Sequence, residues 1–154
     1  TEPEDKTMKL TTEEVNLFFE LTLSLHLFVN TKLNIIPDIQ SLDDYTDLPQ
    51  ESKYQVRERI YDQPDLIDDY ISKNPDQLDD EKLGIVRQWK HFVRGQFYIE
   101  RFLKDYAIFI DEDKVYGVLG LYQGFDEFFH KSHLPTCIQT VLLPFRGKIV
   151  GSAF

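Results

Sequence analysis

The sequence predicts an α+β fold: a helical N-terminal half followed by a four- or five-stranded antiparallel meander or small barrel. Three observations predict it. Apolar residues recur at helical spacing as far as about Arg94. After Gly95 they fall instead in short aromatic and β-branched runs. Tight-turn residues separate those runs.

Residues 1–10 read as a flexible arm or linker, because Glu2, Pro3, Glu4, Asp5 and Lys6 offer nothing to bury. A single α+β domain is expected over 11–154, with 11–94 helical and 95–154 mainly strands. The first helix starts at Thr11 or Thr12 and runs to about Lys32, since Thr11 and Glu14 have the spacing of a capping box. Its apolar residues, from Val15 to Val29, go most of the way round the cylinder. Such a helix is central in its domain or covered by a partner chain.

Short helices punctuated by prolines follow. Pro49 suits the first position of a helix over 51–61, and Pro64 opens one over 65–72. Asp79 or Asp80 can cap a helix running to about Arg94, with Ile85, Val86, Trp89, Phe92 and Val93 on one face. Strands are expected over 96–103, 106–110, 115–122, 137–145 and 148–150, with a short helical segment over 125–130. Residues 111–114 and Arg146-Gly147 read as the tight turns. The last four residues complete neither strand nor helix, as if the domain continued or residues were missing there.

Composition bounds the function. Of 154 residues 42% are hydrophobic, enough for a packed core. The single cysteine, Cys137, allows no internal disulfide and points to a reducing, cytoplasmic setting. No secretory signal opens the sequence, and 15–29 is too short and too polar to span a bilayer, so no membrane partner is expected. The net charge of −10 is confined: residues 38–81 hold 14 acids and 4 bases, whereas 82–94 hold no acid and 4 bases. Global acidity makes nucleic acid an unlikely partner. The stripe Arg87, Lys90 and Arg94, at i, i+3 and i+7, could bind an acidic protein or the chain's own acidic segment. Arg101 and Lys104 extend the basic run among aromatics, a mixture that can bind single strands, although these aromatics read as core.

Candidate chemistry is sparse, and no catalytic or cofactor-binding residue emerges. His130 and His133, beside Asp126 and Glu127, could share a metal if one helical turn carried both. Two surface histidines on a loop are the competing reading. Cys137 near them could pair as thiolate and imidazole, but it reads as a small buried residue at a strand start. Asp111, Glu112 and Asp113 lack the glycine and closing acid of a calcium loop. Paired acids such as Asp43-Asp44, Asp68-Asp69 and Asp79-Asp80 read as solvated faces. Phosphate-loop, dinucleotide-glycine, serine-elbow and H-E-x-x-H patterns do not occur.

Three stretches carry a resemblance: residues 85–104 (IVRQWKHFVRGQFYIERFLK), 115–121 (VYGVLGL) and 141–150 (VLLPFRGKIV). Over 32–150 the chain resembles a family of small bacterial proteins of unassigned activity. The resemblance implies no catalytic residues. That family continues with Tyr-Asp-Gly where this chain has Gly151-Ser152. Separately, Met8-Lys9 in its acidic linker looks like the cleavable linker of the protein substrate of the caspase-like protease in type III-E CRISPR systems. The reading of the whole is a noncatalytic interaction or regulatory module, cytoplasmic and bacterial, whose partner is another protein. Two alternatives stand beside it: an antiviral-defence protein cut near Met8-Lys9, and a metal-dependent hydrolase using His130 and His133.

Overall fold

The structure, a computed structural model, describes residues 9–121 and 123–151. They divide into two compact units. One is helical and holds residues 17–90; the other holds residues 9–16 and 91–151 and carries a sheet. The order is α1 (Thr12–Leu33), α2 (Leu42–Thr46), α3 (Gln50–Asp62), α4 (Asp65–Lys73), α5 (Asp80–Gln88), then β1 (Val93–Phe102), β2 (Ala107–Asp111), β3 (Lys114–Val118), β4 (Thr136–Phe145) and β5 (Lys148–Gly151). This is the α+β arrangement that the patterning predicts.

The capping box forms as expected. Glu14 N–H donates to Thr11 Oγ1 at 3.2 Å, and Thr11 N–H donates to Glu14 Oε1 at 3.0 Å. Along α1 a stripe of Val15, Phe18, Leu21, Leu25 and Val29 is buried. Thr22, His26 and Asn30 lie on the same buried stripe. Leu17, Phe19, Leu23, Leu27 and Phe28 are half-buried, so no part of the apolar circumference is fully exposed. Phe18 meets Trp89 edge-on with centroids 5.5 Å apart, and Phe28 meets Tyr70 at 5.4 Å. Asn30 holds the turn after α1: its Nδ2 donates to Ile36 O and its Oδ1 accepts from Ile36 N–H. Ser41 and Asp79 cap α2 and α5 through their side chains.

The sheet order is β3-β2-β1-β4-β5, antiparallel throughout. Three hairpins join neighbouring strands: β1–β2 through residues 103–106, β2–β3 through Glu112-Asp113 and β4–β5 through Arg146-Gly147. At Arg146-Gly147 both residues take positive φ, 51° and 79°, the conformation a tight two-residue turn requires. Leu119 N–H donates to Ile149 O at 2.9 Å, so the chain beyond β3 meets β5 and the sheet curls. Phe97, Ile99, Ala107, Phe109, Val118 and Leu142 form the core of this unit. Phe125, Phe129 and Leu134 pack against it from the segment between β3 and β4. Leu10 is buried too, and its N–H donates to Gly120 O at 3.0 Å.

Three boundaries differ from expectation. Helix α5 stops at Gln88, a 3-10 turn follows over Trp89–His91, and β1 begins at Val93. Val93 and Arg94 pair with Leu142 and Val141, and a β-branched residue with a cross-strand partner gains more there than in a last helical turn. β3 ends at Val118, because Leu119 and Gly120 leave for bridges to Val150 and Lys9. Only glycine fits at 120, where a Cβ would lie 2.0 Å from the Gln123 carbonyl oxygen. Tyr122, expected in that strand, lies outside the described residues. The helical segment at 125–130 is a 3-10 turn, Phe125–Glu127, with a second at Lys131–His133.

Candidate functional site

The residues singled out in the sequence do not form one site. Arg87 is exposed on α5. Lys90 sits in the 3-10 turn, and its ammonium donates to Asp68 on α4, which raises the lysine above its ordinary value. Arg94 stands on β1 in the other unit. The stripe expected on one helix face is therefore interrupted, because the chain changes from helix to strand between its second and third members. Lys32 likewise donates to Asp69 at 2.7 Å, and Lys82 to Glu20 at 3.1 Å.

The two histidines do not share a helical turn. His130 precedes the second 3-10 turn and its Nδ1 accepts from Ser132 N–H at 3.1 Å. The His130 and His133 rings are 6.1 Å apart. Both are exposed, and among the described residues no three His, Cys, Asp or Glu side chains gather as a metal-ligand set. Cys137 is exposed on β4 opposite Tyr98, which corrects its reading as a buried strand-start residue. The alternation of β4 puts Cys137 on the face away from the core, while Ile138 turns inward against Phe97. Asp111 and Lys114 close the β2–β3 hairpin as paired residues. Of Met8-Lys9, Met8 lies outside the described residues, and Lys9 bridges to Gly120.

The structure assembles one polar cluster that sequence reasoning missed. In the helical unit His26 Nδ1 and the Tyr45 hydroxyl share a hydrogen bond of 2.9 Å, both residues being buried. Lys53 and Arg57, one turn apart on α3, are buried as well. Arg57 Nε and Nη2 donate to Glu58 Oε2 at 3.2 and 2.9 Å, and its guanidinium lies 4.6 Å from the Tyr54 ring centre. Burial, then the Arg57 and Lys53 charges, press the His26 imidazole down to about 3. Burial pushes the Tyr45 and Tyr61 hydroxyls above the usual phenol range. The imidazole is neutral at pH 7 and too weak a base for proton abstraction there. The only signal in the sequence was three polar residues, Thr22, His26 and Asn30, at i, i+4 and i+8 on an apolar helix.

The solvent side of the helical unit is acidic. Of the 14 acids in residues 38–81, all are exposed except Glu58 and Asp69, which are half-buried. Two of the four bases there, Lys53 and Arg57, are largely buried, and Arg57 is paired with Glu58. An open groove of about 530 Å³ runs along this surface, lined by Lys32, Asp62, Gln63, Pro64, Asp65 and Asp69 among others. Compared with known proteins, the chain matches no family model, no curated relative and no solved structure.

Proposed function

We propose that the chain is a noncatalytic protein-interaction module whose helical unit presents an acidic surface to a basic partner protein. One observation carries the reading: the acids of residues 38–81 face solvent while half of the bases among them are withdrawn from it. Withdrawing Lys53 and Arg57 costs desolvation that a fold indifferent to surface charge could avoid. The resulting field favours encounter with a positively charged partner.

Capture of the intact chain from its source cells tests this, at low and at physiological salt. A basic protein should be retained at low salt, and Asp43→Asn, Asp44→Asn and Asp47→Asn together should weaken its retention. No partner at either salt, alongside reproducible turnover of a substrate, would overturn the reading in favour of an enzyme. The cleaved-arm alternative has less support. Leu10 is buried and hydrogen-bonded, so the chain just beyond Met8-Lys9 is tied to the sheet unit, whereas proteases favour loose, exposed segments.

A further inference from the structure

The sheet has an edge that the chain leaves unfilled. β5 pairs with β4 only over residues 142–145. Residues 136–141 of β4 run on beyond it, paired with β1 on one side. Among the described residues, no strand pairs with them on the other. Leu119 N–H donates to Ile149 O, so Ile149 faces away from β4 while Lys148 and Val150 face it. Their partners Phe145 and Leu143 therefore direct their backbone N–H and C=O at β5. By alternation, Gln139 and Cys137 direct theirs at the open edge. Both residues are exposed.

Free strand edges are ordinarily blunted by charge, proline or a bulge. At the far end of the sheet β3 carries Lys114 and is weakened by Gly117. Residues 136–140, Thr-Cys-Ile-Gln-Thr, hold no charge, proline or glycine, and they pair with β1 without a break in register. Their threonines and isoleucine suit a strand. The segment is also symmetric about its centre, with Thr136 and Thr140 on either side of Ile138. All three share the inner face, where Ile138 packs against the core and both threonines are half-buried.

We propose that this edge pairs antiparallel with the same edge of a second copy of the chain, about a two-fold axis at Ile138. In that register Cys137 lies opposite Gln139 of the second copy, and the outward N–H and C=O groups of both residues are satisfied in each copy. Ile138 meets its own equivalent and Thr136 meets Thr140 of the second copy, pairings that strands favour. The occupant is a second copy for two reasons. A lone extended peptide would fill this edge but bare its own far side, whereas two sheet edges fill each other. Charge does not oppose the pairing either, because residues 91–151 hold 7 acids and 7 bases. A basic protein, the partner proposed for the acidic helices, gains no attraction from this uncharged edge. Two short edges make a small contact, so the dimer depends on concentration.

Sedimentation of the full chain from micromolar to near-millimolar concentration tests this, and its mass should rise from monomer towards dimer. Gln139→Pro removes an N–H that β1 does not use, and should weaken association about tenfold or more. Circular dichroism and the melting temperature check that this variant folds. Independently, Gln139→Cys sets a thiol opposite Cys137 of the second copy, and mild oxidation should give a linked dimer on a non-reducing gel. The unaltered chain should stay unlinked, since its Cys137 faces a glutamine. A monomer at every concentration overturns the proposal and leaves the edge to an extended segment of another protein. So does a dimer that a folded Gln139→Pro chain forms equally well, or one in which the introduced thiol stays unlinked. Linking of the unaltered chain through Cys137 overturns the axis at Ile138. If Gln139→Pro does not fold, the cross-link decides. Asp43→Asn, Asp44→Asn and Asp47→Asn together should leave the dimer intact, so its failure and that of the acidic surface are told apart.

Discussion

His26 shows how one residue ties a local sequence to a global property. It occupies a position that helical spacing assigns to the core, and it is kept neutral by burial and by Arg57 and Lys53. Its Nδ1 shares a hydrogen bond with the Tyr45 hydroxyl. The folded value of about 3 lies below the ordinary 6.5. Above pH 6.5 both folded and unfolded imidazoles are neutral, and His26 contributes no pH dependence. Below it the unfolded chain gains a proton that the folded chain refuses. Stability therefore falls between pH 6.5 and about 3, by up to about 1.4 kcal/mol per unit. Urea unfolding at pH 6.5 and at pH 5 should show a loss of about 1.5 kcal/mol that is much reduced in His26→Gln. Equal losses in both proteins would remove His26 as the cause. Thr22 and Trp89 present a different residue-scale feature: each buries a polar atom, Oγ1 and Nε1, with no hydrogen-bond partner among the described residues.

At the scale of elements, the first turn of α1 is fastened twice by one carboxylate. Glu14 Oε1 accepts from Thr11 N–H, and Oε2 accepts from the Lys148 ammonium on β5. Partial burial alone would raise this carboxyl, but the Lys148 ammonium and the Thr11 cap together hold it below its ordinary value. The contribution is present above the ordinary carboxylate range and is lost as pH falls through the lowered folded value. Glu14→Gln keeps the cap and loses the ion pair, and should cost about 0.5–1 kcal/mol. Thr11→Ala loses the reciprocal bond and should cost about 1 kcal/mol. Glu14→Ala should cost more than either, as measured by urea midpoints. The cap was legible because its spacing is local; Lys148 was not, because it lies 134 residues away.

For the whole molecule the governing quantity is charge. The chain carries −10, and the exposed acids of residues 38–81 outnumber their exposed bases, Arg59 and Lys73. The ion pairs Lys32–Asp69, Lys82–Glu20 and Lys90–Asp68 are all partly exposed and contribute little each. Repulsion among the remaining acids outweighs them, so screening should favour the folded state. Raising sodium chloride from low to half-molar concentration should increase unfolding stability by an amount on the order of 1 kcal/mol. A decrease would mean that the attractive pairs dominate.

The sequence by itself determined the kind, order and approximate span of the elements, the capping box at Thr11 and Glu14, and the turn at Arg146-Gly147. These depend on periodicity and on residues within a few positions of one another. The tertiary structure decided the rest. Whether Arg94 continues a helix or begins a strand is settled by Val141, 47 positions on, and its neighbours in β4. The bulge at Glu100 is a matter of register with β2, and it turns Arg101 from the core to the outer face. The pairing of β1 with β4 exposes Tyr98 and Cys137, which composition alone would bury. The burial of His26, Lys53 and Arg57 depends on which helices surround them, and hydropathy places charged and polar side chains outside unless packing supplies partners. Secondary structure follows from short-range sterics and spacing; the faces on which function rests follow from contacts between residues far apart in the chain.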